Sequence, residues 1–244
     1  MVDPMHFDGM ADAYGAARPP YPDALWRDVR ASGLLRPGRR ALDLGAGSGE
    51  ATRVLGAAGM EVTAVEPGAN LAAVLARRLP EVTVVRSRAE ELSLAPATFD
   101  LVVAATAIHW MDLDVVLPLV RRALKPDGRL MVWRNVFGDA EAPVTPFRRA
   151  VQAIVARRTT TRPGNAEDAD AAAQRIADSG LFAVDPVHRY RWSIELTEEQ
   201  IRALFATFSD WTQEEAGEAA SAAAALGGAV TEHYTSWLIV ARPA

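Results

Sequence analysis

The glycines Gly45, Gly47 and Gly49 follow a short apolar run in ALDLGAGSGE, residues 41–50. A strand that runs into such a turn and then into a helix brings backbone close to a ligand with no Cβ atoms in the way. A dinucleotide fingerprint wants glycine at its first, third and sixth positions, whereas the sixth residue here is Glu50. A carboxylate on the first helical turn repels a pyrophosphate seated there, so the loop fits a ligand without phosphates better than NAD. Nineteen residues beyond Gly47 stands Glu66, in VTAVEPGAN. At the end of a second strand such a carboxylate accepts from both ribose hydroxyls of a nucleoside. Alone, Glu66 reads equally as a solvent-facing acid at a helix start; joined to Asp43 and the glycines, the nucleoside reading is the stronger.

The other reactive side chains narrow the chemistry. The 244 residues contain no cysteine, which excludes disulfides, thiolate nucleophiles, zinc ribbons and iron–sulfur clusters. His6, His109, His188 and His233 are scattered without ligand-like spacing, so no metal site is expected. The 26 basic residues are 25 arginines and one lysine, Lys125, against 31 acids, a net charge of -5. Polyanion binding needs positive charge gathered on one face, so no nucleic-acid partner is expected. An all-arginine set beside abundant alanine reflects codon bias more than arginine chemistry. There is no run of about 18 apolar residues, and the start, MVDPMHFDGMADAY, lacks a basic and then apolar leader. A cytoplasmic protein without a membrane partner is the expectation.

Between residues 40 and 134, short apolar runs alternate with helical stretches, the signature of βαβ units around a parallel sheet. Strands are predicted at 41–44, 62–65, 82–85, 101–104 and 130–133, rich in Val, Leu or Ala as strands buried on both faces are. Helices are predicted at 50–58, at 69–79 before Pro80, and at 113–124 before the turn 125–128. Ahead of the sheet, two helices hinge at Arg18, Pro19 and Pro20, and Pro22 starts the second. Behind it come helices at 145–158 and 166–178, parted by the loop RTTTRPGN, then an alternating strand VHRYRWSIEL. A capping box from Thr197 to Gln200 opens a helix through Phe205. An alanine-rich helix at 216–226 and a strand at 233–240 end the pattern.

On these residues the chain resembles the class I S-adenosylmethionine-dependent methyltransferases. DLGAGSG resembles their first motif, VEPGANL the second, SRAEEL the adenine-side motif, FDLVVAATAIHWMD the fourth and RALKPDGRLMVW the fifth. Within that superfamily it is most similar to the small-molecule enzymes related to the trans-aconitate and cantharidin methyltransferases. That likeness rests on an FxxxAxxYxxxRPxYP segment from Phe7 to Pro22, on His109 and Trp110, and on YTSW from Tyr234 to Trp237. The resemblance implies an α/β, Rossmann-like fold: a seven-stranded, mostly parallel sheet with an antiparallel last strand and an N-terminal helical lid. It implies one methyltransferase domain over 1–244. Its parts are an N-terminal helical segment at 1–38, a cofactor-binding core at 39–135, a helical lid or connector at 136–182, and C-terminal strands and helices at 183–244.

The same resemblance implies roles for single residues. Gly45, Ala46 and Gly47 would pass under S-adenosyl-L-methionine, with Asp43 ordering the loop, and Glu66, followed by Pro67, would hold the ribose. Ala89 would offer its N–H to the adenine, next to Glu90, and Ala105 would border the cofactor at the end of the fourth strand. Where many relatives carry an acid before that alanine, this chain has Arg88, which has no acceptor. The adenine amine is then left to a backbone carbonyl or to Glu90. Tyr14 and Arg18 sit where the N-terminal segment folds over the cofactor. Arg18 would pair bidentately with its methionine carboxylate; Tyr14 reads equally as a hydrophobic anchor.

Methyl transfer from a sulfonium is an in-line displacement, so the protein chiefly aligns the reactants and excludes water. A carboxylate acceptor is ionised at neutral pH and needs no base. A phenol, alcohol or amine profits from one, and His109 is the histidine expected near the methyl group, though it reads equally as a residue packed under the lid. Arg134 would bind an acceptor carboxylate or lie at the surface. Trp110, Trp133 and Trp211 would wall the acceptor pocket or pack in the core. The expected reaction is O-methylation of a carboxylate or hydroxyl on a small organic molecule, releasing S-adenosyl-L-homocysteine. Two other classes stay open. An NAD(P)-binding oxidoreductase is opposed by Glu50 and by the lack of a Tyr-x-x-x-Lys pair; the other is a module that binds the cofactor and methylates nothing.

Overall fold

The computed structural model describes residues 8, 9, 11, 15, 17–159, 168–208 and 210–244. Tyr14, most of the first N-terminal helix and much of the RTTTRPGN loop lie outside the described residues. The first half of the chain contains α1 (Asp23–Ala31), β1 (Arg40–Leu44), α2 (Glu50–Ala57), β2 (Glu61–Val65), α3 (Ala69–Arg78), β3 (Thr83–Val85), β4 (Phe99–Ala105) and α4 (Leu113–Ala123). The second half contains β5 (Leu124–Phe137), α5 (Pro146–Ala156), α6 (Ala169–Asp178), β6 (Phe182–Val184), β7 (His188–Thr197), α7 (Glu198–Ala206), α8 (Gln213–Ala225) and β8 (Ala229–Pro243). β1 to β5 pair in parallel because a crossover returns the chain to the same end of the sheet each time.

The sheet order is β3-β2-β1-β4-β5-β8-β6, with β7 also on β8. β8 runs antiparallel to β5 from the Leu130–Ala241 pair to Phe137–Tyr234. Among the described residues eight strands are present where seven were expected, because β6 and β7 share the outer side of β8. β6 pairs with residues 241–243 and β7 with 229–238, so the sheet has seven positions and a divided last one. Pro186, which has no N–H for a ladder, stands in the break.

The turn expected at 125–128 is a bulge inside β5: Phe99 pairs with Leu124, but Leu101 with Arg129. The looped-out Lys125 reaches the buried Asp100 at 2.8 Å, which also accepts from Arg39 at 2.5 Å and from the Arg40 N–H at 2.9 Å. Burial pushes the Asp100 carboxyl up, but these donors outweigh it and hold the pKa at about 2. Helix starts follow their caps. Asp112, Thr145 and Asp168 each accept a helix N–H, and Thr197 and Thr212 complete capping boxes with Gln200 and Glu215. The Thr212 box is why the alanine-rich helix begins before residue 216.

Alternation along the strands splits the core. Leu42, Val102, Val132 and Ile239 pack with residues of α4 and α6, while Ala41, Val103, Met131 and Trp133 pack with residues of α1 and α2. A third cluster joins α5, α7 and α8 to Leu196 and Tyr234. Among the described residues no helix is long and apolar enough to cross a membrane.

Candidate functional site

The buried β1 delivers its glycine turn to the C-terminal edge of the sheet, where open α/β sheets bind ligands. Gly45 (φ 68°) and Gly47 (φ 56°) both take left-handed backbone, which L side chains disfavour. A Cβ on Gly45 would lie 2.5 Å from the Ala107 Cβ, so this glycine lets the loop press against the segment after β4. A Cβ on Gly47 would meet nothing within 4 Å; the loop is open there, as a cradle must be. The N–H groups of Gly45 and Ala46 both donate to the Val65 carbonyl at 2.9 Å and tie the loop to the end of β2.

Glu66 is 6% exposed. Its Oε2 accepts the Gly47 N–H and its Oε1 the Gly68 N–H, both at 2.8 Å, with Pro67 between the two turns of chain. Burial raises its pKa, and those N–H groups oppose the rise. A carboxylate has about four acceptor sites, so the two N–H groups leave capacity for further donors. Asp43 is fully buried; Thr52 donates to its Oδ2 at 2.6 Å, and Oδ1 has no partner. Burial, opposed by Thr52 and aided by the charge of Glu66, pushes Asp43 up to about 6. Glu50 begins α2, with Arg78 at 4.0 Å. Open glycine backbone beside buried acceptors, with an acid at the helix start, fits a hydroxyl-bearing nucleoside cofactor and not a pyrophosphate.

The buried Asp43 charge has a measurable cost. Its folded pKa lies above the unfolded value, so its contribution to stability is present below about pH 4 and lost as pH rises through about 6. The loss amounts to about 3 kcal/mol at pH 8. Asp43→Asn keeps an acceptor for Thr52 and drops the charge. It is expected to raise the ligand-free melting temperature by about 5 °C or more at pH 8 and by about half as much at pH 5, read by scanning calorimetry. Equal shifts at both pH values would remove the charge as the cause.

Buried Ala89, expected from the resemblance to border an adenine, opens the 3-10 turn Ala89–Glu91 after β3. Glu90 accepts the Asp112 N–H at 2.9 Å and faces Arg88 at 3.6 Å. Burial raises the Glu90 pKa, but the Asp112 N–H and Arg88 outweigh it and leave it lowered. Arg18 donates to the Thr207 carbonyl at 3.0 Å and stands 5.0 Å over the Phe208 ring. These contacts tie the N-terminal segment to the end of α7.

A cavity of about 310 Å³ is lined by residues that include Thr106, Ala107, His109, Trp133, Arg134 and Arg175, together with Asp168 and Trp237. Ala107 is the residue Gly45 packs against, so the cavity adjoins the cradle, and Ala105 ends β4 between them, paired with Trp133. Arg134 lies 3.1 Å from His109 Nδ1 and 3.4 Å from Nε2. A guanidinium only donates, so the imidazole nitrogen that faces it accepts. Burial, and then the Arg134 charge, hold the His109 pKa down to about 3. His109 is therefore neutral at physiological pH. Trp110 lies beside it, with ring centroids 4.7 Å apart.

The tryptophans divide. Trp133 is fully buried and meets Tyr21 and Trp26 edge-on at 5.9 and 5.4 Å, so it is a core residue that shows one side to the cavity. Trp211 stands apart from the expected wall. Its indole is taken up by Phe205 at 4.3 Å and by Arg158 over the ring at 4.7 Å, and it lines no part of the cavity.

Thr106 and Arg175 escaped the sequence reading. Thr106 is a β-branched residue at φ 60°, an outlier of the kind that clusters at functional edges, and no sequence signal announces it. Arg175 follows Asp168, Ala171 and Ala172 at helical spacing along α6, a pattern that was readable. A second cavity of about 570 Å³ shares Asp168 and Trp237 with the first and includes Phe137, Arg148 and Glu232. Burial raises Glu232 to about 7 against the opposing charge of its ion-pair partner Arg148. Among the described residues no group of histidines and acids could hold a metal ion.

The sheet order and the cradle define a class I S-adenosylmethionine-dependent methyltransferase. Residues 42–132 match the family described as a methyltransferase domain. An uncharacterized methyltransferase of Mycobacterium tuberculosis is 31% identical over 208 residues, 84% of this chain and 77% of its own. Among solved structures, a Type II methyltransferase candidate from Anaeromyxobacter dehalogenans is 26% identical, with a TM-score of 0.65 over 92% of this chain and 96% of that one. Phosphoethanolamine N-methyltransferase 2 of Haemonchus contortus, solved with S-adenosyl-L-methionine, shares the fold at a TM-score of 0.60 and 18% identity, over 100% of this chain and 61% of that one. The chain belongs to the methyltransferase family.

Proposed function

We propose that the protein transfers a methyl group from S-adenosyl-L-methionine to a carboxylate oxygen of a small organic acid. The observation that carries this reading is the pair formed by His109 and Arg134 in the 310 Å³ cavity. A histidine with a pKa of about 3 is too weak a base to take a proton from a phenol or an ammonium group. A carboxylate arrives ionised and needs a cation instead. Arg134 and Arg175 supply positive charge, while Asp168 is engaged in capping α6 through the N–H groups of Asp170 and Ala171. The cavity lies at the lower end of the range that small ligands occupy.

S-adenosyl-L-methionine, when bound, supplies an electrophilic methyl group on a sulfonium. Glu66 holds the ribose, with the backbone of Gly45, Ala46 and Gly47 beneath it. Ala89 and Glu90 border the adenine, and Asp43 orders the loop through Thr52. Tyr14 and Arg18 belong to the segment that closes over the cofactor. His109 accepts from Arg134 and fixes its direction, Trp133 walls the acceptor cavity, and Trp110, which lines no part of that cavity, packs on the His109 ring. The grouping with the trans-aconitate and cantharidin enzymes is supported by the RPxYP segment and by His109 with Trp110. The net charge of -5 supports an enzyme without a nucleic-acid partner, and a cytoplasmic location is part of the same reading. A panel of small carboxylic acids, phenols and amines, incubated with enzyme and cofactor, tests the reading by mass spectrometry. Acids are expected to gain one CH₂ as alkali-labile methyl esters; methylation confined to phenols or amines would overturn it.

A further inference from the structure

A hydrogen-bond relay outside the site crosses three strands and ends on the N-terminal segment. Trp192 Nε1 on β7 donates to Ser236 Oγ on β8 at 2.8 Å, and Ser236 donates to Asn135 Oδ1 on β5 at 2.7 Å. The Asn135 amide then donates to the carbonyls of Pro19 and Pro20 at 3.2 and 3.1 Å. Every proton in the relay points from the sheet toward the segment. Proline has no N–H, so this stretch can be held only through its carbonyls. Ser236 is fully buried and has accepted its proton from Trp192, which leaves its own hydroxyl proton for Asn135. That fixes the amide with its oxygen toward Ser236 and its NH₂ toward the prolines.

The latched stretch touches both halves of the site. Before the prolines, a Cβ on Gly15 would lie 2.6 Å from Ser48 Oγ, so Gly15 rests on the residue next to Gly47. After them, the Tyr21 hydroxyl lies 3.0 Å from that of Thr106, and the Tyr21 ring meets Trp133 edge-on. Thr106 and Trp133 both line the acceptor cavity. We propose that Asn135 is a positioning residue that latches the N-terminal segment between the cofactor cradle and the acceptor cavity and so slows cofactor release. It touches neither reactant, and the proposal does not depend on the acceptor being an acid.

The test uses the full chain with S-adenosylhomocysteine as the probe. Asn135→Ala is expected to release it about tenfold faster in stopped flow and to weaken its dissociation constant to match, the scale of two lost neutral hydrogen bonds. Hydrogen exchange at residues 17–21 should rise in the ligand-free protein. Ser236→Ala leaves the Asn135 amide in place but undirected, and should shift release and exchange the same way by a smaller factor. A merely structural role would lower the melting temperature while release from the folded protein stays unchanged, and that result would overturn the proposal. If Asn135→Ala does not fold, Ser236→Ala decides: faster release supports the latch, and wild-type release removes it.

Discussion

Glu66→Ala is expected to lower the affinity for S-adenosylhomocysteine by at least about a hundredfold, read by isothermal titration calorimetry. The Glu66 carboxylate does two jobs at once. It takes the N–H groups of Gly47 and Gly68 at 2.8 Å each, which pins the cradle to the end of β2, and in the proposed reading its remaining acceptor sites take the ribose hydroxyls. Hydrogen bonds to a charged group contribute about 1.5–3 kcal/mol each, and about 1.4 kcal/mol is tenfold in affinity. Losing the two ribose contacts alone reaches the hundredfold mark, before any loosening of the glycine loop. Glu66→Gln is no mild control, because its NH₂ must face one of two N–H donors. Burial raises the Glu66 pKa, so affinity in the wild type should begin to weaken, as pH falls, at a higher pH than an ordinary glutamate would set. A loss below about fivefold in Glu66→Ala would take this residue out of the ribose role.

The cradle was legible because its parts are local in the chain. A glycine spacing, an acid one strand later and the strand–turn–helix pattern are each read within a few residues, and the sheet then brings Gly47 and Glu66 together by parallel pairing of β1 and β2. What could not be read were contacts between distant segments. The hydrogen bond of Arg18 to the Thr207 carbonyl, 189 positions away, has no local signal in the chain. Lys125 was placed in its turn, but its partner Asp100 depends on the β4–β5 register. Trp211 sits next to a well-marked capping box, and only the packing of α7 against α8 shows its indole on Phe205 instead of on a ligand. β6 has no strand signal of its own, because its three residues are followed by Asp185 and Pro186 and, unlike the equally short β3, do not sit in an alternating series of strands and helices. Thr106 has ordinary surroundings in sequence, and its left-handed backbone comes from the way β4 ends against Trp133, whose carbonyl accepts the Thr106 N–H at 2.7 Å.

On the acceptor side the largest effect falls on Arg134. Arg134→Met keeps most of the aliphatic stem and removes the cation, and kcat/KM for a carboxylic acid drawn from the panel is expected to fall about a hundredfold. Affinity for S-adenosylhomocysteine should stay within about twofold, because Arg134 lies beyond Ala107 and makes no part of the cradle. The pH dependence separates this from base catalysis. In the wild type neither His109, at about 3, nor an acceptor carboxylate of ordinary pKa titrates between pH 6 and 8, so with cofactor saturating the transfer step should be flat from about pH 7 upward, above the Asp43 titration at about 6. His109→Ala then lowers the rate modestly, through a less well-directed Arg134, and leaves the profile flat. A rate that climbs with a slope of one across that range, and loses the climb in His109→Ala, would return the proton-transfer role to the histidine. Stability gives an independent reading of the same pair. The folded His109 pKa is depressed below the unfolded value of about 6.5, so its contribution is full above that pH and is lost as pH falls toward about 3. Arg134→Met removes the second of the two causes of that depression and leaves burial, the larger one. The acid-induced fall in melting temperature between pH 6 and 4 should therefore become shallower in the variant. An unchanged slope would mean that the Arg134 charge does not reach the imidazole, and the argument for a neutral His109 would then rest on burial alone.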